Sequence, residues 1–284
     1  MSTHVLTGPD PTAQAGLRFY PLRDSATMLR RNLKRMLRYP SMTLMLVGMP
    51  VVFLLLFVYV FGGTLGAGLG GAAHTGASAG RAAYANYVAP AILLMTATAT
   101  VQGTAISVAM DMTEGIIDRF RTMHIARVSV LTGHVLGSMI QSLLGVGVII
   151  GLAFGIGFRS AASPLAWLAA IGLLALTALA LTWLTVALGL AAKSVETASN
   201  TPMFLLLLPF LGSGFVPTSS LPAGLRWFAE YQPFTPVTTA VRQLLLGGAV
   251  GDNAVIAIAW CAGGALGAYL WARHVYNTRP LPVR

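Results

Sequence analysis

Residues 44–61 read LMLVGMPVVFLLLFVYVF, eighteen positions without a charged side chain. An α-helix rises 1.5 Å per residue, so roughly 20 apolar residues cross a hydrocarbon core of about 30 Å. The run is close to that length. It is also too long and too unbroken for a strand of an outer-membrane barrel, whose short segments alternate in polarity. A span without water must satisfy its own backbone, so the run predicts a transmembrane helix.

The whole chain reads the same way. Of its 284 residues, 56% are hydrophobic and only 9% are charged, with a mean hydropathy of +0.74. A soluble domain carries about a quarter charged residues. Further apolar runs at 87–110, 130–158, 164–192, 201–216 and 254–272 bring the expected spans to six. The run 201–216 is short and holds Pro202 and Pro209, so a kinked or incomplete helix is expected there. The expected fold class is an all-α membrane protein with six transmembrane helices. The first apolar run follows a polar and basic lead, so no cleavable signal peptide is expected. The single cysteine, Cys261, cannot form an internal disulfide and leaves the redox compartment open.

The net charge of +10 sorts by membrane side. With the N-terminus in the cytoplasm, fourteen of the eighteen Lys and Arg fall in inside segments, and only Arg81, Arg159, Arg226 and Arg242 fall outside. This bias places both termini in the cytoplasm of a multi-pass protein of the plasma (inner) membrane. It accounts for the basic balance without nucleic acid.

Residues 1–20 form a polar tail expected to be mobile. Residues 21–40 place Leu22, Ala26, Leu29, Leu33, Met36 and Leu37 at helical steps, with Arg30, Arg31, Lys34, Arg35 and Arg38 on other faces. This is an amphipathic helix suited to the inner membrane surface and its lipids. Residues 41–284 are the expected transmembrane domain. The first outer loop, 62–86, is rich in Gly and Ala and reads as flexible. The last, 217–250, is punctuated by Pro217, Pro222, Pro233 and Pro236. It carries Trp227, Phe228 and Tyr231 at expected headgroup depth, together with Arg242. It reads as a re-entrant hairpin between the fifth and sixth spans.

Several chemistries are missing. No Asp, Glu, Lys or Arg falls inside the six expected spans, where a charge costs roughly 2.5–3.5 kcal/mol. Proton or sodium coupling through side chains is not expected. His134 reads as an interfacial histidine rather than a proton relay. Neither Lys34 nor Lys193 follows a glycine, so the chain has no phosphate-binding Gly-Lys-Ser/Thr loop. Zinc-protease spacing is absent. The GASAG run at 76–80 matches G-x-S-x-G only in letters, because no strand precedes it. No catalytic, cofactor-binding or metal-binding residue is therefore assigned, and the chain is not read as an enzyme.

Gly147, Gly151 and Gly155 recur at four-residue steps, as do Gly263 and Gly267. That spacing suits close helix packing, either within one subunit or between two. The few polar residues of the spans include Thr96, Thr98, Thr100, Gln102 and Gln141. They suit interhelical hydrogen bonds or the lining of a path for an apolar or amphipathic molecule.

Between the second and third runs lies a polar island, DMTEGIIDRFRTMHIAR, residues 111–127. It holds three acids, Asp111, Glu114 and Asp118, and three arginines, Arg119, Arg121 and Arg127. Topology alone would need only the bases. A short segment of mixed sign suits a specific protein contact.

Together these features resemble the permease subunits of ABC-2-type, or type V, ABC exporters. The most specific part is 209–248, PFLGSGFVPTSSLPAGLRWFAEYQPFTPVTTAVRQLLLGG. In it Pro209, Ser213, Phe215, Pro217, Leu221, Pro222, Pro236, Arg242, Leu244, Leu245 and Gly247 match the family pattern. In the island Glu114, Gly115, Asp118 and Arg119 match, while Ile116 and "MHIAR" depart from it. The resemblance covers nearly the whole chain and is nearest to the daunorubicin-resistance type of drug-efflux permease. It implies a coupling loop at 111–128, with Glu114, Gly115, Asp118, Arg119 and Arg121 docking on a cytoplasmic ABC ATPase. It further implies two ATPase copies, which bind the ATP and magnesium, and a second permease copy or sister permease. Outward transport of a drug or lipid-like molecule would follow. A passive pore, or a membrane anchor that recruits a cytoplasmic protein, remains the alternative from the residues alone.

Overall fold

The computed structural model describes residues 21–38, 40–69, 77–115 and 127–278. Among them the chain is all-helical, and five helices are long and apolar enough to cross a membrane. The 1–20 tail lies outside the described residues.

Helix α1, Pro21–Arg38, carries the basic side chains. The first span begins in α2, Pro40–Leu55, passes through a π-helical turn, Leu56–Phe61, and ends in α3, Gly62–Leu69. Helix α4, Ala77–Thr113, is followed by α5, Arg127–Gly155, and α6, Pro164–Ala191. Short helices α7, Val195–Asn200, and α8, Met203–Leu207, come next. Helices α9, Ala223–Tyr231, and α10, Phe234–Leu246, lead to the last span, α11, Gly251–Thr278.

Helix α4 is the centre. Within its most apolar stretch 83% of residues are buried, against 17% in the first and last spans. It packs against α2, α3, α5, α6, α7, α8 and α10. Its side chains are small: Ala85, Ala89, Ala91, Ala97, Thr96, Thr98 and Thr100 are all buried. Small residues let neighbouring backbones close in, and lipid offers no other strong drive for helix association.

The kinked or incomplete helix expected at 201–216 is what the structure shows, and elsewhere it departs from expectation in two places. Segment 201–216 is not one helix. After α8 it runs through turns from Leu208 to Phe215, where Gly214 lies so close to Ala91 and the Pro209 carbonyl that a Cβ would clash at 3.0 and 2.8 Å. The expected loop 62–86 is largely helical, with only residues 70–76 outside the description. There α3 and α4 approach so closely that a Cβ on Gly66 would run into the Gly80 carbonyl. Ala77–Gly80 is accordingly the first turn of α4, not a nucleophile turn. Finally, α4 does not stop at Met110. It continues through Asp111 to Thr113 and ends where Gly115 adopts a left-handed φ of 67°, a conformation glycine takes at little cost.

The glycine repeats also sort themselves. Gly147, Gly151, Gly155, Gly263 and Gly267 meet nothing within 4 Å, so they do not pack this chain together. The tight contacts are made by Gly62 and Gly66 on α3, Gly137 and Gly145 on α5, and Gly189 on α6.

This contrast is testable with one substitution at two sites. Gly66→Ala must push α3 off α4 and is expected to cost about 1–3 kcal/mol. Gly172→Ala, in open space, should stay within about 1 kcal/mol of zero. Equal melting temperatures for the two variants in detergent would contradict the packing.

Candidate functional site

Two polar clusters sit at opposite ends of α4. Asp111 and Tyr87 are 24 residues apart, so about 36 Å separates them along the helix axis. That is slightly more than a hydrocarbon core, which places a cluster near each membrane surface.

The first cluster joins three helices. Asp111 of α4 is only 2% exposed, yet its carboxylate is satisfied. Arg31 of α1 donates from Nη2 to Oδ2 at 2.7 Å, and His134 of α5 faces the same oxygen through Nε2 at 3.0 Å. Asn32 donates to the Gly133 carbonyl at 3.0 Å, and its amide nitrogen lies 3.4 Å from His134 Nδ1. Gly137, one turn on, lets Asn32 come close: a Cβ there would meet it at 3.1 Å. So α1 does not merely lie on a surface. It is bolted to α4 and α5 by a charge-assisted bond.

Arg30, Lys34 and Arg38 are exposed on α1, where they can face lipid phosphates or a partner. Arg35 also belongs to α1. Glu114 is exposed, one turn beyond Asp111, and Gly115 follows it. Asp118, Arg119 and Arg121 lie outside the described residues. His134 is 6% exposed and enclosed between helices.

The second cluster holds the unwound turn 208–215. Arg242 of α10 donates from Nε to the Tyr87 carbonyl at 3.1 Å, and from Nη2 to the carbonyls of Ser213 at 2.9 Å and Gly214 at 3.2 Å. Its guanidinium carbon lies 3.9 Å from the centroid of the Tyr87 ring. Tyr87 Oη also donates to Ser213 O at 3.0 Å, and Tyr84 Oη to Phe215 O at 3.2 Å. Gln232 Nε2 donates to Leu208 O at 3.1 Å, and the Ser213 amide donates to Thr235 Oγ1 at 3.2 Å. Burial pulls the Arg242 guanidinium below its ordinary value, and the adjacent Tyr87 acts in the opposite sense.

The prolines mark starts. Pro217 precedes a single 3₁₀ turn, Pro222 precedes α9, and Pro236 sits in the first turn of α10. Trp227 and Tyr231 on α9 are each 66% exposed, with ring centroids 5.5 Å apart. Along the middle of α4, Thr96 and Thr98 are buried and donate to the carbonyls of Ile92 and Leu94. Gln102 donates to the Ser199 carbonyl at 3.2 Å, fastening α7. Gln102 and Gln141 are both partly exposed.

A family model described as "ABC-2 type transporter" matches residues 24–246. The chain belongs to the ABC-2 type transporter family. Membership makes this multi-pass membrane protein the permease of an ABC transporter, and the family implies an ABC ATPase as its partner. The permease is 26% identical over 222 residues to the daunorubicin resistance ABC transporter permease protein DrrB1 of Streptomyces coeruleorubidus, covering 78% of this chain and 74% of the relative. It is 23% identical over 159 residues to the probable doxorubicin resistance ABC transporter permease protein DrrC of Mycobacterium tuberculosis, covering 56% and 58%.

Sequence reasoning on this permease found Arg31 and Arg242 but not their partners. The sequence groups Asp111 with the loop because hydropathy falls at the first charge. Tyr84 and Tyr87, one helical turn apart, are aimed at the 208–215 turn; only that turn's need for donors to its carbonyls could have flagged them.

Removing the shared acceptor should loosen α1. Asp111→Ala leaves His134 facing an empty position and Arg31 without this carboxylate, at a cost of about 1–3 kcal/mol. Limited trypsin digestion should then cut faster after Arg30 and Lys34. Unchanged cleavage rates would show that α1 is held by something else.

Proposed function

We propose that this permease is the membrane subunit of an ATP-driven exporter that moves an apolar or amphipathic drug- or lipid-like molecule out across the plasma membrane. The observation that carries the coupling half of this reading is the Arg31–Asp111–His134 joint. It fastens the basic helix α1 and the central helix α4 together, one turn before Glu114. A push on the segment after α4 would therefore move α1 and α4 as one body.

In this reading both termini are cytoplasmic. Two copies of an ABC ATPase bind ATP and magnesium and grip the 111–128 loop through Glu114, Gly115, Asp118, Arg119 and Arg121. A second permease, identical or sister, completes the pathway. The basic side chains Arg30, Arg31, Lys34, Arg35 and Arg38 keep α1 at the inner surface. The broken segment 201–216 supplies the sixth crossing, and α9 and α10 dip back into the outer leaflet. Gln102 and Gln141 are the members of the proposed path that offer polar atoms. Thr96 and Thr98 are closed off by neighbouring helices in this conformation. An uncharged lining of this kind suits amphipathic cargo, and the names of the two relatives point to anthracyclines.

The test uses inside-out vesicles carrying the permease and its ATPase, with ATP-dependent uptake of daunorubicin as readout. Reversing Glu114 and Asp118 together to Lys should reduce uptake to the level without ATP, while the permease stays in the membrane. Normal uptake by that double variant would sink the coupling assignment. Uptake by the native pair that ignores ATP would favour a passive pore.

A further inference from the structure

Arg242 carries a charge that nothing among the described residues neutralises. Its hydrogen bonds go to three carbonyls, and its flat face lies on the Tyr87 ring. All of these partners are neutral. The two acids nearest in sequence do not serve: Asp252, in the first turn of α11, forms no ion pair with it, and Glu230 is engaged by Arg226 at 2.8 Å on the surface of α9. Neutral partners orient a guanidinium but do not discharge it, and a partly buried charge without a counter-ion is costly. One terminal nitrogen, Nη1, makes no hydrogen bond to the described residues.

Three positional facts converge on what could supply the counter-ion. Arg242 lies at the Tyr87 end of α4, about 36 Å from the Asp111 joint, and so at headgroup depth. The exposed rings of Trp227 and Tyr231 on the neighbouring helix are of the type that settles at that depth. The turn that Arg242 clamps, 208–215, opens onto side chains exposed outside this chain, among them Leu207 at 56% and Leu211 at 37%. An acyl chain could lie there. We propose that Arg242 binds the phosphate of a phospholipid in the leaflet on the hairpin side, with Nη1 donating to a phosphate oxygen. The proposal needs the membrane placement of the chain and not the exporter reading.

The experiment uses the full permease with its ATPase, purified in a neutral detergent. Thermal unfolding is followed with added phosphatidylcholine, with a galactosyl diacylglycerol of the same acyl chains, and with inorganic phosphate alone. Phosphatidylcholine has a phosphate but no net charge, so it separates this site from the basic surface of α1. It should raise Tm where the glycolipid and inorganic phosphate do not. In Arg242→Gln the rise should disappear, and phospholipid retained in native mass spectrometry should fall about tenfold, as expected for a lost charge-assisted hydrogen bond. Arg226→Gln should change neither readout. If Arg242→Gln fails to fold, the headgroup comparison on the native chain and on Arg242→Lys decides. Three results would overturn the proposal: an equal rise with glycolipid, an undiminished rise in Arg242→Gln, or a rise with inorganic phosphate alone, which would make the site one for small anions.

Discussion

A lipid interior offers no hydrogen bonds, so every backbone group at that depth needs a partner from the protein. The long helices meet this demand by themselves. The turn from Leu208 to Phe215, which rises to headgroup depth where Arg242 holds it, does so only in part, and the protein spends Tyr84, Tyr87, Gln232, Thr235 and Arg242 on it. Those side chains come from α4, from the α9–α10 corner and from α10. The break in the helix therefore dictates where three other elements must lie. Rings close its other side: Phe210 stacks on Phe215 at 4.5 Å, and Phe57 of the π-helical turn approaches Phe215 at 4.6 Å.

The same constraint governs the opposite end in electrostatic form. A carboxylate that is 2% exposed persists there with a guanidinium and an imidazole facing it. Asp111 is thus a membrane-edge charge kept for attachment. It explains why α4 runs past the point where hydropathy falls.

Apolar length was the legible part. The runs at 44–61, 87–110, 130–158, 164–192 and 254–272 each lie largely within a long helix, because a sustained apolar run has one stable solution in lipid. Pro202 and Pro209 signalled the irregularity of 201–216. Glycine spacing was less informative. The repeat at Gly147, Gly151 and Gly155 and the pair Gly62 and Gly66 look alike in one dimension, yet only α3 has a helix against that face. Partners across 80 to 155 positions, such as Arg31 with Asp111 and Tyr87 with Arg242, leave no local trace. For that reason Asp111 reads in the sequence as the start of a loop.

Helix α4 is fixed at one end to α1 and α5, and at the other to the 208–215 turn through Tyr87. A rod about 36 Å long that is fastened at both ends couples the two attachments. Tilting it by about 10° would carry one end about 6 Å relative to the other, on the scale of one helical turn. A displacement applied at the Asp111 end would thus reach the Arg242 end undiminished, with no relay of side chains between them.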